Sequence, residues 1–175
     1  MKPDTASGTL LTLDVDGGTV RFREAVSEDV AGIVRLVAED PLAAAREDQT
    51  EMAPYEAAFA AIDADPAHLL VVGELFDANG ADARGRHLVA TFQLSFLPGL
   101  SRKGSLRSQL EAVRVADILR GQGVGQAMVQ WAIGESRRRG CGLVQLTTDK
   151  SRTGAHRFYE RLGFEASHEG MKLRL

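Results

Sequence analysis

Residues 110–146 constrain this chain more than any other stretch. A strand-like run, LEAVRVA (110–116), leads into three glycines at alternate positions, Gly121, Gly123 and Gly125. A helical pattern follows to about Arg139, and then a second strand-like run, LVQLTT (143–148). A glycine inside a helix costs about 1 kcal/mol relative to alanine. Three of them where a helix begins therefore point to a demand on the backbone itself. Two strands joined through a helix are expected to lie parallel, which places the chain among mixed α/β folds.

A helix N-terminus carries unpaired N–H groups and a partial positive charge, and together these hold phosphate. Glycines let the backbone reach unusual φ/ψ values and come close to a ligand. The run Arg120-Gly121-Gln122-Gly123-Val124-Gly125-Gln126 is thus a candidate pyrophosphate cradle, the alternative being a tight glycine turn with no ligand. Two familiar phosphate motifs do not fit. There is no Gly-Lys-Ser/Thr ending as in a P-loop, and the third glycine comes one position too soon for the dinucleotide fingerprint.

The rest of the chain supplies the remaining elements. Alternating apolar residues over 9–24 flank Asp16-Gly17-Gly18, which predicts a hairpin. Ser27 is a candidate N-cap before Val30, Ile33, Val34 and Val37 at helical spacing. Residues 51–64 predict a second helix ending near Pro66, and 68–76 and 87–96 predict strands. Residues 77–86 and the basic stretch 101–109 read as loops. Residues 153–162 predict a helix closed by Gly163, and 164–175 a last β segment turning at Glu169-Gly170. The expected order is β, β, α, α, β, β, β, α, β, α, β.

At 175 residues the chain suits one domain with a sizeable core. A net charge of −3 argues against a nucleic-acid partner, which usually leaves a basic footprint. Arg137-Arg138-Arg139 reads as a solvated cap on a helix dipole, not as a nucleic-acid patch. The single cysteine, Cys141, allows no internal disulfide, offers no zinc set and reads as a small buried hydrophobe. With no signal-peptide core and no membrane-length apolar run, a cytoplasmic protein without a membrane partner is expected. Trp131 reads as core, and His156 and His168 as surface groups or cleft residues.

Val113-Arg114-Val115, then Arg120, Gly123 and Gly125, resembles the acetyl-CoA motif of the GNAT N-acetyltransferase superfamily. About 30 residues on, Ala155, Tyr159 and Leu162-Gly163-Phe164 resemble the second signature of the same superfamily. The resemblance spans residues 19–175 as a single domain, with 1–18 an N-terminal extension carrying the first strand of the hairpin. It implies an α/β (α+β mixed) fold, with a mixed central sheet of six to seven strands flanked by about four helices. It also implies acetyl-CoA as co-substrate and a primary amine as acceptor; with no long acidic or basic groove for a polypeptide evident, the amine of a small molecule is expected. The alternatives are a non-catalytic acyl-CoA-binding module and an acetyltransferase acting on protein N-termini or lysines. Dimers are common in the superfamily, which leaves a homodimer open.

The resemblance further implies residue roles. The backbone of Val113, Arg114 and Val115 would hold the pantetheine arm, and Arg120, Gly121, Gln122, Gly123, Val124, Gly125 and Gln126 the pyrophosphate. The Val115 N–H would polarise the thioester carbonyl. An alkylammonium of pKa about 10 must lose a proton before it attacks, and a thiolate of pKa about 8.5 leaves better with a proton donor. Tyr159 matches the superfamily's donor; the alternative is that it packs beside Phe158, Leu162 and Phe164. Glu111 is the candidate base, acting directly or through water. By strand periodicity it shares a face with Val113 and Val115; the alternative is a solvent-exposed strand end. An asparagine common in relatives is replaced here by Arg152, which, like Lys150, reads as an exposed cation or a phosphate contact. The acceptor pocket, expected from 38–66 and 97–109, carries no readable code.

Overall fold

The computed structural model describes residues 8–40, 44, 47, 49–81 and 88–173. Six strands form one sheet in chain order: β1 (Leu11–Val15), β2 (Gly18–Glu24), β3 (His68–Phe76), β4 (Leu88–Leu97), β5 (Arg107–Val115) and β6 (Leu143–Leu146). Neighbours pair antiparallel from β1 through β5, and β5 pairs parallel with β6. Four helices of nine residues or more accompany them among the described residues, α1 (Val30–Ala38), α2 (Ala53–Ala64), α3 (Val124–Arg138) and α4 (Thr153–Arg161), besides a single short turn at Ser101–Gly104. The parallel β5–α3–β6 unit stands as the glycine cluster predicts, and the sheet with its flanking helices matches the expected fold class.

The strands alternate, and each face of the sheet has its own apolar cluster. On the α3 face Val20, Phe22, Phe92, Leu94 and Leu110 pack with Met128, Val129 and Ala132 of α3. Phe92 and Trp131 meet at 5.8 Å between ring centroids, and the Trp131 indole N–H donates to Leu10 O at 3.1 Å. Trp131 is therefore core, as its place in the helix suggested, and it also pins the strand next to the N-terminus. The opposite face carries a smaller cluster of Ala25, Val72 and Leu88 with Ile33 and Phe59 of α1 and α2.

Several local expectations fail for physical reasons. Ser27 does not cap α1; it begins a 3-10 turn (Ser27–Asp29), and Asp29 Oδ2 reaches back to accept the Val26 N–H at 2.8 Å. The same carboxylate holds Arg23 at 2.6 Å, and Glu74 grips that guanidinium from β3, also at 2.6 Å. Asp29, then Glu74, hold Arg23 above its ordinary pKa against burial, so this knot fixes the entry of α1 onto the sheet. Within the expected loop 101–109, Arg102, Lys103 and Gly104 form a left-handed turn, and β5 starts three residues before the predicted 110. Beyond α4, residues 164–173 form no strand, and Met171 and Leu173 lie exposed. β6 stops at Leu146, two residues short of the predicted end. The basic run is also more than a solvated cap. Arg138 and Arg139 both bind the buried Glu135, and Arg139 lies 4.0 Å over the Phe96 ring.

Candidate active site

The site begins with a parting of two strands. Arg107 to Leu110 register with Leu143 to Leu146, and the β5–β6 ladder ends there. β5 continues to Val115 while the β6 chain leaves, so the outer edge of 111–115 borders a gap. The Ala116 N–H donates to Val89 O on β4 at 2.8 Å. Backbone groups alternate along a strand, so the Val115 N–H points the other way, into the gap.

A bulge shapes this same segment. Thr91 pairs with Arg114 but Gln93 pairs with Glu111, so β5 carries one extra residue, and Ala112 takes φ 51°. The extra residue breaks the period of two. Leu110, whose register partner is the core residue Leu94, lies on the α3 face. Val115 is on that face too, with its Cγ2 3.8 Å from a Cβ built on Gly125. Glu111, opposite Gln93, falls on the other face, with Arg114 and the end of α1. The expectation that Glu111 shares a face with Val113 and Val115 is therefore corrected: the bulge lies between them.

The glycine cluster closes the end of the gap. A 3-10 turn (Asp117–Leu119) leads into Arg120, and Gly121 and Gly123 both adopt φ 80°. Left-handed backbone costs an L-residue about 1–2 kcal/mol, so these two glycines are conformationally required. Gly123 is the N-cap of α3, and its carbonyl accepts the first helical bond from the Ala127 N–H at 2.9 Å. The N–H groups of Val124, Gly125 and Gln126 belong to the turn that has no intrahelical acceptors. Gly125 has an ordinary φ, and a Cβ there would meet only Phe158 and Val115 at ordinary contact distance. Neither strain nor internal packing demands glycine at that position.

The side chains of the cluster point to different tasks. Val124 is buried in the core, leaving its backbone N–H as its contribution to a ligand. Gln122 Oε1 accepts the Asp16 N–H at 2.8 Å, and its Nε2 donates to Ile118 O, so this side chain ties the loop to the β1–β2 hairpin. Arg120 makes an exposed ion pair with Asp117 at 2.7 Å, which binds it weakly. The Arg114 guanidinium sits on Val113 O at 2.8 Å and faces Asp40 at 3.5 Å.

α4 carries the remaining groups. Phe158 lies against Gly125, and Tyr159 stacks edge-on with Phe158 (5.0 Å) and Phe164 (5.7 Å). Burial pushes the Tyr159 phenol above its ordinary pKa, while the charges of Arg114 and Arg152 pull it down. Arg152, at the start of α4, is not simply an exposed cation: it grips Asp40 with two bonds, 2.5 and 2.7 Å. Sequence reading had no means to find Asp40, which lies 112 positions away and belongs to no motif. Lys150 pairs with Glu169 at the surface. His156 bonds the Asp149 carbonyl and His168 bonds Ser167, both in exposed settings. Cys141 is half-buried, and burial raises its thiol pKa. Of the expected acceptor segment 38–66, residues 41–43, 45, 46 and 48 lie outside the described residues. No helix among the described residues is long and apolar enough to cross a membrane.

A family model described as Acetyltransferase (GNAT) family matches residues 30–164. An aminoalkylphosphonate N-acetyltransferase of Salmonella typhimurium is 38% identical over 60 residues, which cover 34% of this chain and 39% of that protein. A mycothiol acetyltransferase of Corynebacterium jeikeium is 35% identical over 65 residues, covering 37% of this chain and 19% of that protein. The matches thus span well under two thirds of these curated relatives. A crystal structure from Bacillus halodurans C-125, described as a transcriptional regulator, superposes with a TM-score of 0.79 at 40% identity. It covers 89% of this chain and 99% of that one.

Proposed function

Because this chain belongs to the acetyltransferase (GNAT) family, we propose that it transfers the acetyl group of acetyl-CoA to the primary amine of a small molecule, by direct attack in a ternary complex. The observation that carries this reading is the gap beyond Leu110. One wall is the edge of β5 that β6 no longer pairs beyond Leu110, and its end is a helix N-terminus with two left-handed glycines. An extended amide-bearing arm fits a free strand edge by adding to it as a strand would. A pyrophosphate fits the N–H groups of Gly123, Val124, Gly125 and Gln126, and the missing Cβ of Gly125 leaves room for close approach. Arg120 supplies the nearby positive charge.

Acetyl-CoA brings the activated thioester; the chain's residues do the rest. The Val115 N–H, aimed into the gap, donates to the carbonyl oxygen as negative charge gathers on it. Tyr159 gives its proton to the departing sulfur, and its partly buried phenol is protonated at neutral pH. Glu111, on the face opposite Val115, takes the proton of the incoming ammonium through water, because the bulge turns it from the thioester side. The amine approaches from the α1 side of β5, and the thioester from the side of the parted strands. The relatives named for aminoalkylphosphonate and for mycothiol support a small acceptor, and the single cysteine suits a reducing cytoplasm.

Calorimetry with acetyl-CoA, with NAD and ATP as controls, tests the cradle. An amine panel that includes aminoalkylphosphonates, read by thiol release, tests the transfer. Selective acetyl-CoA binding followed by thiol release supports the reading, and no binding of acetyl-CoA or free CoA removes it. A non-catalytic acyl-CoA-binding module is the second reading, favoured by the neighbour described as a transcriptional regulator. Acetyl-CoA binding with no amine ever acetylated would select it.

A further inference from the structure

The sheet face turned away from α3 changes character along its strands. Under α1 and α2 it is apolar, where Ala25, Leu70, Val72 and Leu88 meet Ile33 and Phe59. Two residues before Leu70 a polar row begins. His68 on β3 registers with Ser95 on β4, Ser95 with Gln109 on β5, and Gln109 with Gln145 on β6. Strands lie about 4.8 Å apart, so the row crosses about 14 Å of sheet. Side chains alternate along a strand, and the adjacent Leu69, Leu94, Phe96, Leu110 and Leu146 belong to the α3 core, which puts the whole row on the opposite face. Glu111 and Gln93, in register with each other, lie on that same face. At about 3.4 Å per residue, Gln109 is roughly 7 Å along β5 from Glu111.

The row is only partly closed on itself. His68 Nδ1 and Ser95 Oγ share a hydrogen bond of 2.8 Å, and Gln145 Nε2 donates to Gln109 Oε1 at 2.7 Å. A side-chain amide has two donor hydrogens and an acceptor oxygen, so each glutamine keeps capacity beyond that one bond. Gln109 Nε2 and Gln145 Oε1 have no hydrogen-bond partner among the described residues, and neither atom is sealed from solvent. Both side chains are half-buried. A hydroxyl, which donates and accepts at once, satisfies either open end. The row holds no carboxylate, lysine or arginine, so it matches a neutral polar body better than an ionic one. Arg107, the next residue of β5 on this face, lies against Gly99, beyond the end of β4.

We propose that this row is the floor of the acceptor site and that it selects a polyhydroxylated amine, an amino polyol or amino sugar whose hydroxyls bond the open amide ends of Gln109 and Gln145 while its nitrogen lies by Glu111. This inference rests on the acetyl transfer and the side of amine approach given above, and it names the class of amine. A plain alkylamine covers the row without bonding it and leaves those amide groups stripped of water and unpaired, which costs more than the missing bonds alone.

Thiol release at saturating acetyl-CoA compares glucamine with hexylamine, primary amines on the same unbranched carbon chain. Taken per neutral amine, kcat/KM for glucamine should exceed that for hexylamine by roughly tenfold. Gln109→Leu and Gln145→Leu keep the size of the side chain and remove its hydrogen bonds. Each should cut that ratio by about fivefold, through KM more than kcat. Gln130→Leu, on an exposed position of α3, should leave the ratio as it is. Calorimetry with acetyl-CoA checks that each variant keeps a folded cofactor site. A ratio of one or less in the unaltered protein overturns the proposal, whether or not the variants fold. A ratio that survives both glutamine variants does the same, as does an aminoalkylphosphonate that outruns glucamine, which would give this face to an anionic body. Acetyl-CoA binding with no thiol release from any amine overturns the transfer reading and the proposal with it. Equal release from hexylamine and glucamine overturns the proposal alone.

Discussion

The backbone N–H of Asp16 and the side-chain oxygen of Gln122 meet at 2.8 Å, although 106 positions separate them in the chain. The tip of the β1–β2 hairpin thereby holds the turn between two left-handed glycines. The bond lies at the surface, so its worth is about 1 kcal/mol. Gln122→Ala should raise KM for acetyl-CoA by about fivefold with kcat nearly unchanged, since the loop loosens without losing a reacting group. Steady-state kinetics at saturating amine measures the split, and an equal fall in kcat would show that the tie serves chemistry and not binding.

Two glycines of α3 should respond in opposite ways to the same substitution. Gly123 sits at φ 80°, so Gly123→Ala should cost about 1–2 kcal/mol and weaken acetyl-CoA binding by roughly tenfold. Gly134 lies inside the helix with open space around a built Cβ. Gly134→Ala should stabilise the fold by about 0.4–1 kcal/mol and leave binding unchanged. Chemical denaturation and calorimetry on the pair would sink the account if the two variants behaved alike.

The proposed proton transfers separate by limb. Tyr159→Phe should lower kcat about 100-fold while acetyl-CoA affinity holds, because the ring packing survives and the donor is lost. Glu111→Gln should act mainly on kcat/KM for the amine, with a smaller deficit at high pH where the amine is already neutral. Pre-steady-state and pH-resolved kinetics distinguish them, and a Glu111→Gln deficit independent of pH would exclude it as the base.

Away from the site, hydrogen bonds from Arg138, then Arg139, hold the buried Glu135 carboxyl below the usual carboxylate range against its burial. A carboxylate so depressed contributes its stability in full above its unfolded pKa, about 4.3, and loses it as pH falls through the lower folded value. Tm should therefore hold down to about pH 5 and drop as pH falls further, through the unfolded and then the lower folded value, and Glu135→Gln should shrink that drop. An unchanged pH dependence in the variant would show that other carboxylates carry it.

Sequence reading went furthest where one local rule decides the structure. The β1–β2 hairpin at Asp16-Gly17, the strand over 68–76, the helix after the glycines and the parallel β5–β6 pair all follow from periodicity and turn chemistry within a few residues. It failed where the deciding partner is distant. Ser27 lost the capping role because its hydroxyl donates to Glu28, and the turn before α1 is closed at Val26 by Asp29, itself gripped by Arg23. Glu111 changed face because one residue, Ala112, is added to β5 opposite β4, and no local signal marks a bulge.

The sequence by itself determined the glycine turn that opens α3, because left-handed backbone and a bare helix N-terminus are written in residue types at fixed spacing. Only the tertiary structure decided which side chains meet Asp40. Asp40, Arg114 and Arg152 come from three elements and share no period. What joins them is the requirement that charges removed from water meet an opposite charge. The packing of α1 and α4 around β5 and β6 alone brings that charge within reach.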